Sequence, residues 1–289
     1  MLGIPLLTSL ALAFAACGSP ASTPQPEPSA SETGSAQPTE TAPAFAPYSP
    51  GELTVLIGTD FLPGWMQGDA PGVPNAGVEF ELAEEIARVH GLKTVYRTSG
   101  WAAMTSGTMT DYDIALWTIF KTPEREEVND YSECYYPGYT GILTRKGTDV
   151  SSLEKAKALV WGAAQGSLQA KMVDAIEPTE AGRVFSDTPA MFALLQNGEI
   201  DAVMAGLTAS SGRAMQAGWE DFHVAAVVEA KSVPDPCYAV QLPKGSANTG
   251  AVNDVIAAVK ADGTFDQWVE KNLTPLGADP ALYPTFLIP

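Results

Sequence analysis

The stretch DIALWTIFKTPER, Asp113 to Arg125, runs from an apolar segment into a Thr-Pro turn that delivers one arginine close to Trp117, Thr118 and Phe120. A guanidinium is always charged and presents a planar fork of donors that matches a carboxylate bidentately. Arg125 is therefore a candidate holder of an anionic group; the ordinary alternative is an ion pair with Glu126 or Glu127. Gln165-Gly166-Ser167 lies between a strand-like and a helix-like stretch, so backbone N–H groups at that helix start form a second anion-facing surface. Gly166 permits close backbone approach, and Ser167 caps the helix or donates to a ligand. Asp60 ends the first apolar strand, where carboxylates commonly face an α/β crevice. Trp101, Trp117, Trp65 and Phe61 are candidates for flat apolar walls, with core packing as the alternative for Phe61. None of the HExxH, GxSxG or phosphate-loop patterns occurs, and no nucleophile–base pair stands out. The residues point to binding rather than catalysis.

Those residues must be positioned by α/β elements. LTVLIG, KTVYR and DIALW read as strands, as do ALVWGAA, GRVFSD, DAVMAG and FHVAAVV further on. VEFELAEEIARVHG places Phe80, Ala83, Ile86, Ala87 and His90 at helical spacing and ends at Gly91. Further helices are expected near Ser167, Pro189 and Ser210, and Ser151 to Glu154 reads as a capping box. The alternation predicts βαβ units around parallel sheets. With 289 residues, 45% of them hydrophobic, the chain has material for two domains. A net charge of −18 argues against nucleic acid or anionic lipid as the main partner. Two histidines and three cysteines leave little for metal sites, and no metal or cofactor is expected.

The first seventeen residues, MLGIPLLTSLALAFAAC, are apolar and too short for a stable span. A cysteine directly after Ala15-Ala16 resembles a bacterial lipoprotein signal, which makes Cys17 the candidate lipidated residue. Phe14 stands where leucine is usual, and no Lys or Arg precedes the run. Residues 18–50, rich in Pro, Ser, Thr, Glu and Ala, cannot bury enough surface to fold and read as a disordered tether.

Taken in order, GTD (58–60), GVEFELA (77–83), DIALWTIFKTPER, VNDYSECYY (128–136), AAQGSL (163–168), GEIDAV (198–203) and ADGTFDQWVEKNL (261–273) resemble the bacterial extracellular solute-binding proteins of family 3, the binding lipoproteins of polar amino acid ABC transporters. The resemblance implies a periplasmic-binding-protein-like type II fold, α/β, with two Rossmann-like lobes joined by a two-strand hinge. Lobe one would comprise 51–136 plus 244–289, lobe two 144–236, and the hinges about 137–143 and 237–243. It also implies that Arg125 grips a ligand carboxylate, that Trp101 stacks on the ligand, and that Cys134 and Cys237 pair across the hinge region; two separate thiols are the alternative. A membrane permease would read the closed form, the chain would act as a monomer on the extracytoplasmic face, and no catalysis is expected.

Two departures bear on the ligand. Phe120 stands where the family usually has Ser or Thr, leaving Thr118 as the nearby hydroxyl donor. Gly206 stands where the family's ammonium-binding Asp is expected. A buried α-ammonium without a carboxylate is costly. Either the ligand lacks a free α-ammonium or carries a substituted or ring nitrogen, or another acid, Asp60 or Asp187, takes the role. A sensing lipoprotein remains an alternative. A dehydratase on the same fold is another, with Asp60 or Glu79 as the nominal acid.

Overall fold

The computed structural model describes residues 45–289 apart from Phe61, Pro71, Asp187 and Pro234. Cys17, most of the tether, and the candidates Phe61 and Asp187 lie outside the described residues.

In the first lobe, β1 (Glu52–Ile57), β2 (Gln67–Ala70), β3 (Val73–Ala76), β4 (Lys93–Thr98), β5 (Ile114–Ala115) and β6 (Asn129–Pro137) precede the second lobe. The second lobe supplies β7 (Thr140–Arg145), β8 (Trp161–Ala164), β9 (Arg183–Phe185), β10 (Ala202–Gly206) and β11 (Phe222–Ala230). The chain then returns as β12 (Cys237–Pro243) and closes with β13 (Thr285–Ile288). The first sheet has the order β4-β1-β5-β12-β6, and the second β13-β11-β7-β10-β8-β9; β2 and β3 form a separate hairpin.

The helices are α1 (Val78–Val89), α2 (Trp101–Thr105), α3 (Pro123–Glu126), α4 (Leu153–Lys157), α5 (Leu168–Ile176), α6 (Thr188–Asn197), α7 (Leu207–Ala214), α8 (Thr249–Ala261) and α9 (Thr264–Asn272). The crossover through α1 makes β1 and β4 parallel, and β8 pairs in parallel with both β9 and β10. Alternation along β1 sends Leu53, Val55 and Ile57 into the core with Leu82 and Ile86 of α1. Leu56 points to the other face, with Met104 and Tyr112. Both faces of β1 are thus covered, as a continuous apolar run requires.

Several boundaries differ from those read in the sequence. Residues 237–243, read above as a hinge, form β12, a ladder strand of the first sheet bonded to β5 and β6. Likewise 140–143 belong to β7, paired with β10 and β11. The crossings are 138–139 and 231–236, tied together by the Gly138 N–H donating to the Pro236 carbonyl at 2.7 Å. A third crossing follows α9, because β13 pairs with β11; 285–288 therefore belong to lobe two rather than lobe one.

The tether's last residues are not free either. The Ala46 N–H donates to Asn248 Oδ1 at 2.8 Å, the Tyr48 N–H donates to Asp113 Oδ1 at 2.6 Å, and Phe45 lies 5.1 Å from the His90 ring. α7 starts at Leu207, ahead of Ser210, and the cap of α4 is Ser152, whose hydroxyl accepts from the Lys155 N–H. Ser151 is engaged with Asp149 instead.

Cys134 and Cys237 are joined, with 5.8 Å between Cα atoms. The bond links β6 to β12 inside the first sheet, at the edge where the chain leaves for the second lobe. It staples one lobe rather than crossing between two. Among the described residues no helix is long and apolar enough to cross a membrane.

Candidate functional site

A cavity of about 510 Å³ opens between the two sheets. Its walls are the segments that follow the C-terminal ends of β1, β4, β5, β8, β9 and β10, the position where open α/β sheets hold ligands. Aromatic rings dominate the first-lobe wall. The Trp117 ring lies so tightly over Gly58 that a Cβ there would fall inside it. Tyr238 carries Phe120 at 4.7 Å and Trp65 at 5.3 Å between ring centres. Phe120 also packs over Gly138 of the first crossing, which joins the cavity floor to the hinge. From lobe two come Gln169, Phe185, Met191 and Met204. Asp60 is the only charged side chain among the described lining residues, and it is exposed.

Arg125 is set by local chemistry. Thr122 caps α3 by accepting from the Arg125 N–H, and Pro123 starts the turn with its fixed φ. The guanidinium does not itself line the cavity. It lies over the Trp101 ring, 4.9 Å from its centre, and donates through Nη1 to the Phe120 carbonyl at 2.9 Å. Nη2 reaches across the cleft to the Gly166 carbonyl at 3.3 Å. Beside it Lys171 pairs with Glu124 at 3.0 Å, so α3 and α5 meet at the mouth. Burial pushes the Arg125 guanidinium below its ordinary value, with Tyr131 and Glu124 acting the other way. Among the described residues no carboxylate forms an ion pair with it. Glu126, offered above as its partner, pairs with Lys121.

The other sequence-nominated residues divide. Trp101, Trp117, Thr118, Phe120, Asp60, Trp65, Ser167 and Gly206 line the cavity, whereas Gly166 stands just outside it and offers its carbonyl to Arg125. Ser167 caps α5 by accepting from the Ala170 N–H at 3.1 Å. Trp101 Nε1 is buried without a partner among the described residues. Gly206 has ordinary φ, −53°, and a Cβ there would sit 3.4 Å from the Tyr238 hydroxyl.

Tyr238, Gln169 and Glu79 were not among the sequence-nominated binding residues. Only Glu79 left a signal: an acid on the apolar stripe that continues through Leu82, Ala83 and Ile86. It is fully buried beneath the floor, where Oε1 accepts from the Thr118 N–H at 2.7 Å and from the Tyr135 hydroxyl. Burial pushes its carboxyl up to about 7, against the lowering effect of those two bonds. The unfolded chain loses this proton near the ordinary 4.5, and the folded chain keeps it until about 7. Its contribution therefore makes stability fall as pH rises through that window and level off above it. Urea unfolding from pH 4.5 to 8 is expected to show wild type losing stability on the order of 3 kcal/mol relative to Glu79→Gln, whose own slope lacks this component.

The geometry defines a two-lobe protein built to hold a small molecule between its sheets. Residues 53–182 match the family described as bacterial extracellular solute-binding proteins, family 3. It is 26% identical over 248 residues to the lysine/arginine/ornithine-binding periplasmic protein of Escherichia coli, a match covering 79% of this chain and 90% of the relative. It is 25% identical over 163 residues to the ABC transporter glutamine-binding protein GlnH of Bacillus subtilis, covering 56% of this chain and 58% of that relative. Among solved structures, an amino acid ABC transporter substrate-binding protein of Streptococcus pneumoniae bound to L-arginine superposes with a TM-score of 0.67 at 27% identity, covering 76% of this chain and 93% of that one.

Proposed function

We propose that this chain is the substrate-binding component of an ABC importer, capturing an amino acid or an amino-acid-like, carboxylate-bearing nitrogenous solute between its lobes. The observation that carries this reading is Arg125, which already bridges the lobes through a neutral carbonyl beside an aromatic cavity. A solute carboxylate offers the guanidinium a charged acceptor in place of the Gly166 carbonyl, a stronger bond in the same fork. Contacts to both lobes favour the closed form, which a permease then recognises. The empty position at Gly206 and the aromatic wall favour a solute whose nitrogen is methylated, ring-held or absent over a free α-ammonium. The reading includes Cys17 as the lipid anchor to the extracytoplasmic face, Arg125 and Trp101 as ligand contacts, and binding without turnover.

The test is a thermal-shift screen, followed by calorimetry, of L-arginine, L-glutamine, L-histidine, L-cystine, glycine betaine, ectoine and 2-oxoglutarate. A true ligand at a hundredfold its dissociation constant stabilises the fold by about 2.7 kcal/mol. No shift with any of these, or chemical conversion of the one that binds, would overturn the proposal.

A further inference from the structure

We propose that Glu79, sealed beneath the cavity floor, is a positioning residue that acts on bound solute through Thr118; the proposal rests on the solute-binding reading above. Thr118 is one of few non-glycine residues with positive φ, +46°, a conformation that costs a β-branched residue free energy unless its surroundings hold it. What holds it is the Glu79 carboxyl group, to which its N–H donates. The held turn presents three features of the wall: Trp117 over Gly58, Thr118 itself, and Phe120 against Tyr238. One buried group thus sets the shape of the surface a solute meets.

Among the described residues, the surroundings of Glu79 leave it without a counter-charge. From β6 it faces Tyr135 and from β12 Tyr238; neither is basic, and burial raises both hydroxyls further. Lys260 of α8 is drawn off to the Cys134 carbonyl, and Lys271 of α9 to Glu81. Oε1 already accepts two donors, whereas Oε2 is buried with no partner among the described residues. When the group is protonated, the oxygen left to carry the proton is Oε2, which accepts from neither donor. Loss of that proton makes the Thr118 bond charge-assisted, roughly twice as strong as the neutral one. The ionised form grips the turn harder, so solute binds tighter as pH rises through 7, and by reciprocity binding releases protons.

Two measurements on the full chain test this. Without solute, amide exchange at Thr118 is expected to be about tenfold slower in wild type and Glu79→Gln than in Glu79→Leu, because glutamine still offers an acceptor and leucine offers none. Equal exchange in all three would overturn the proposal. With whichever solute of the screen above binds, wild-type affinity is expected to rise about threefold or more between pH 6 and 8, with proton release seen in buffers of different ionisation enthalpy. Glu79→Gln should bind without that slope. A slope that survives in Glu79→Gln, or wild-type affinity in Glu79→Leu, would also sink it. If no solute of the screen binds, the importer reading fails, and the Thr118 exchange still decides whether Glu79 holds the turn.

Discussion

Arg125→Met is expected to weaken binding of a carboxylate solute by about a hundredfold or more, near 3 kcal/mol, while circular dichroism and the unfolding midpoint stay close to wild type. The charge carries the effect. In the folded protein the guanidinium spends its donors on two carbonyls, Phe120 and Gly166, and its face on Trp101. Methionine keeps much of the contact with the ring but removes the fork, so an entering carboxylate is desolvated without a charged donor. Arg125→Lys keeps the charge but loses the bidentate geometry and the planar stack, and should fall between the two. Isothermal titration of the solute identified in the screen is the measurement. An unchanged dissociation constant in Arg125→Met would remove the central contact from the proposed site.

The second large effect concerns specificity. Gly206→Asp is expected to tighten binding of ordinary α-amino acids by tenfold or more, about 1.5–3 kcal/mol for a charged hydrogen bond, and to weaken solutes whose nitrogen has no proton to donate. The position accepts the change. Its φ of −53° suits any L-residue, and a Cβ meets only the Tyr238 hydroxyl at 3.4 Å, a group able to donate to the new carboxylate. Gly206 also caps α7 without a side chain, so aspartate there should stabilise the helix start rather than damage the fold. Titrations of L-arginine and L-glutamine into wild type and Gly206→Asp, with Asp60→Ala alongside, decide it. If wild type binds these amino acids tightly and Asp60→Ala binds them equally well, the cavity does not need a carboxylate at either place, and the specificity argument from Gly206 is wrong.

The sequence by itself determined the local grammar. Short continuous apolar runs made β1 and β10 strands, the amphipathic period made α1, and a Thr-Pro start made the turn that carries Arg125. These are short-range effects of periodicity, capping and proline geometry, which any reader of the chain can apply. The tertiary structure decided where those pieces meet. That 237–243 is a ladder strand and that 285–288 crosses to the second sheet follow from hydrogen bonds between segments tens of residues or more apart, which no local pattern encodes. The same holds for the guanidinium, since Gly166 lies 41 residues beyond Arg125. Glu79 is the clearest case: on paper an acid in a helix, in the fold a fully buried group beneath a cavity. Desolvation is a property of everything packed around a side chain, so only the assembled protein could assign it.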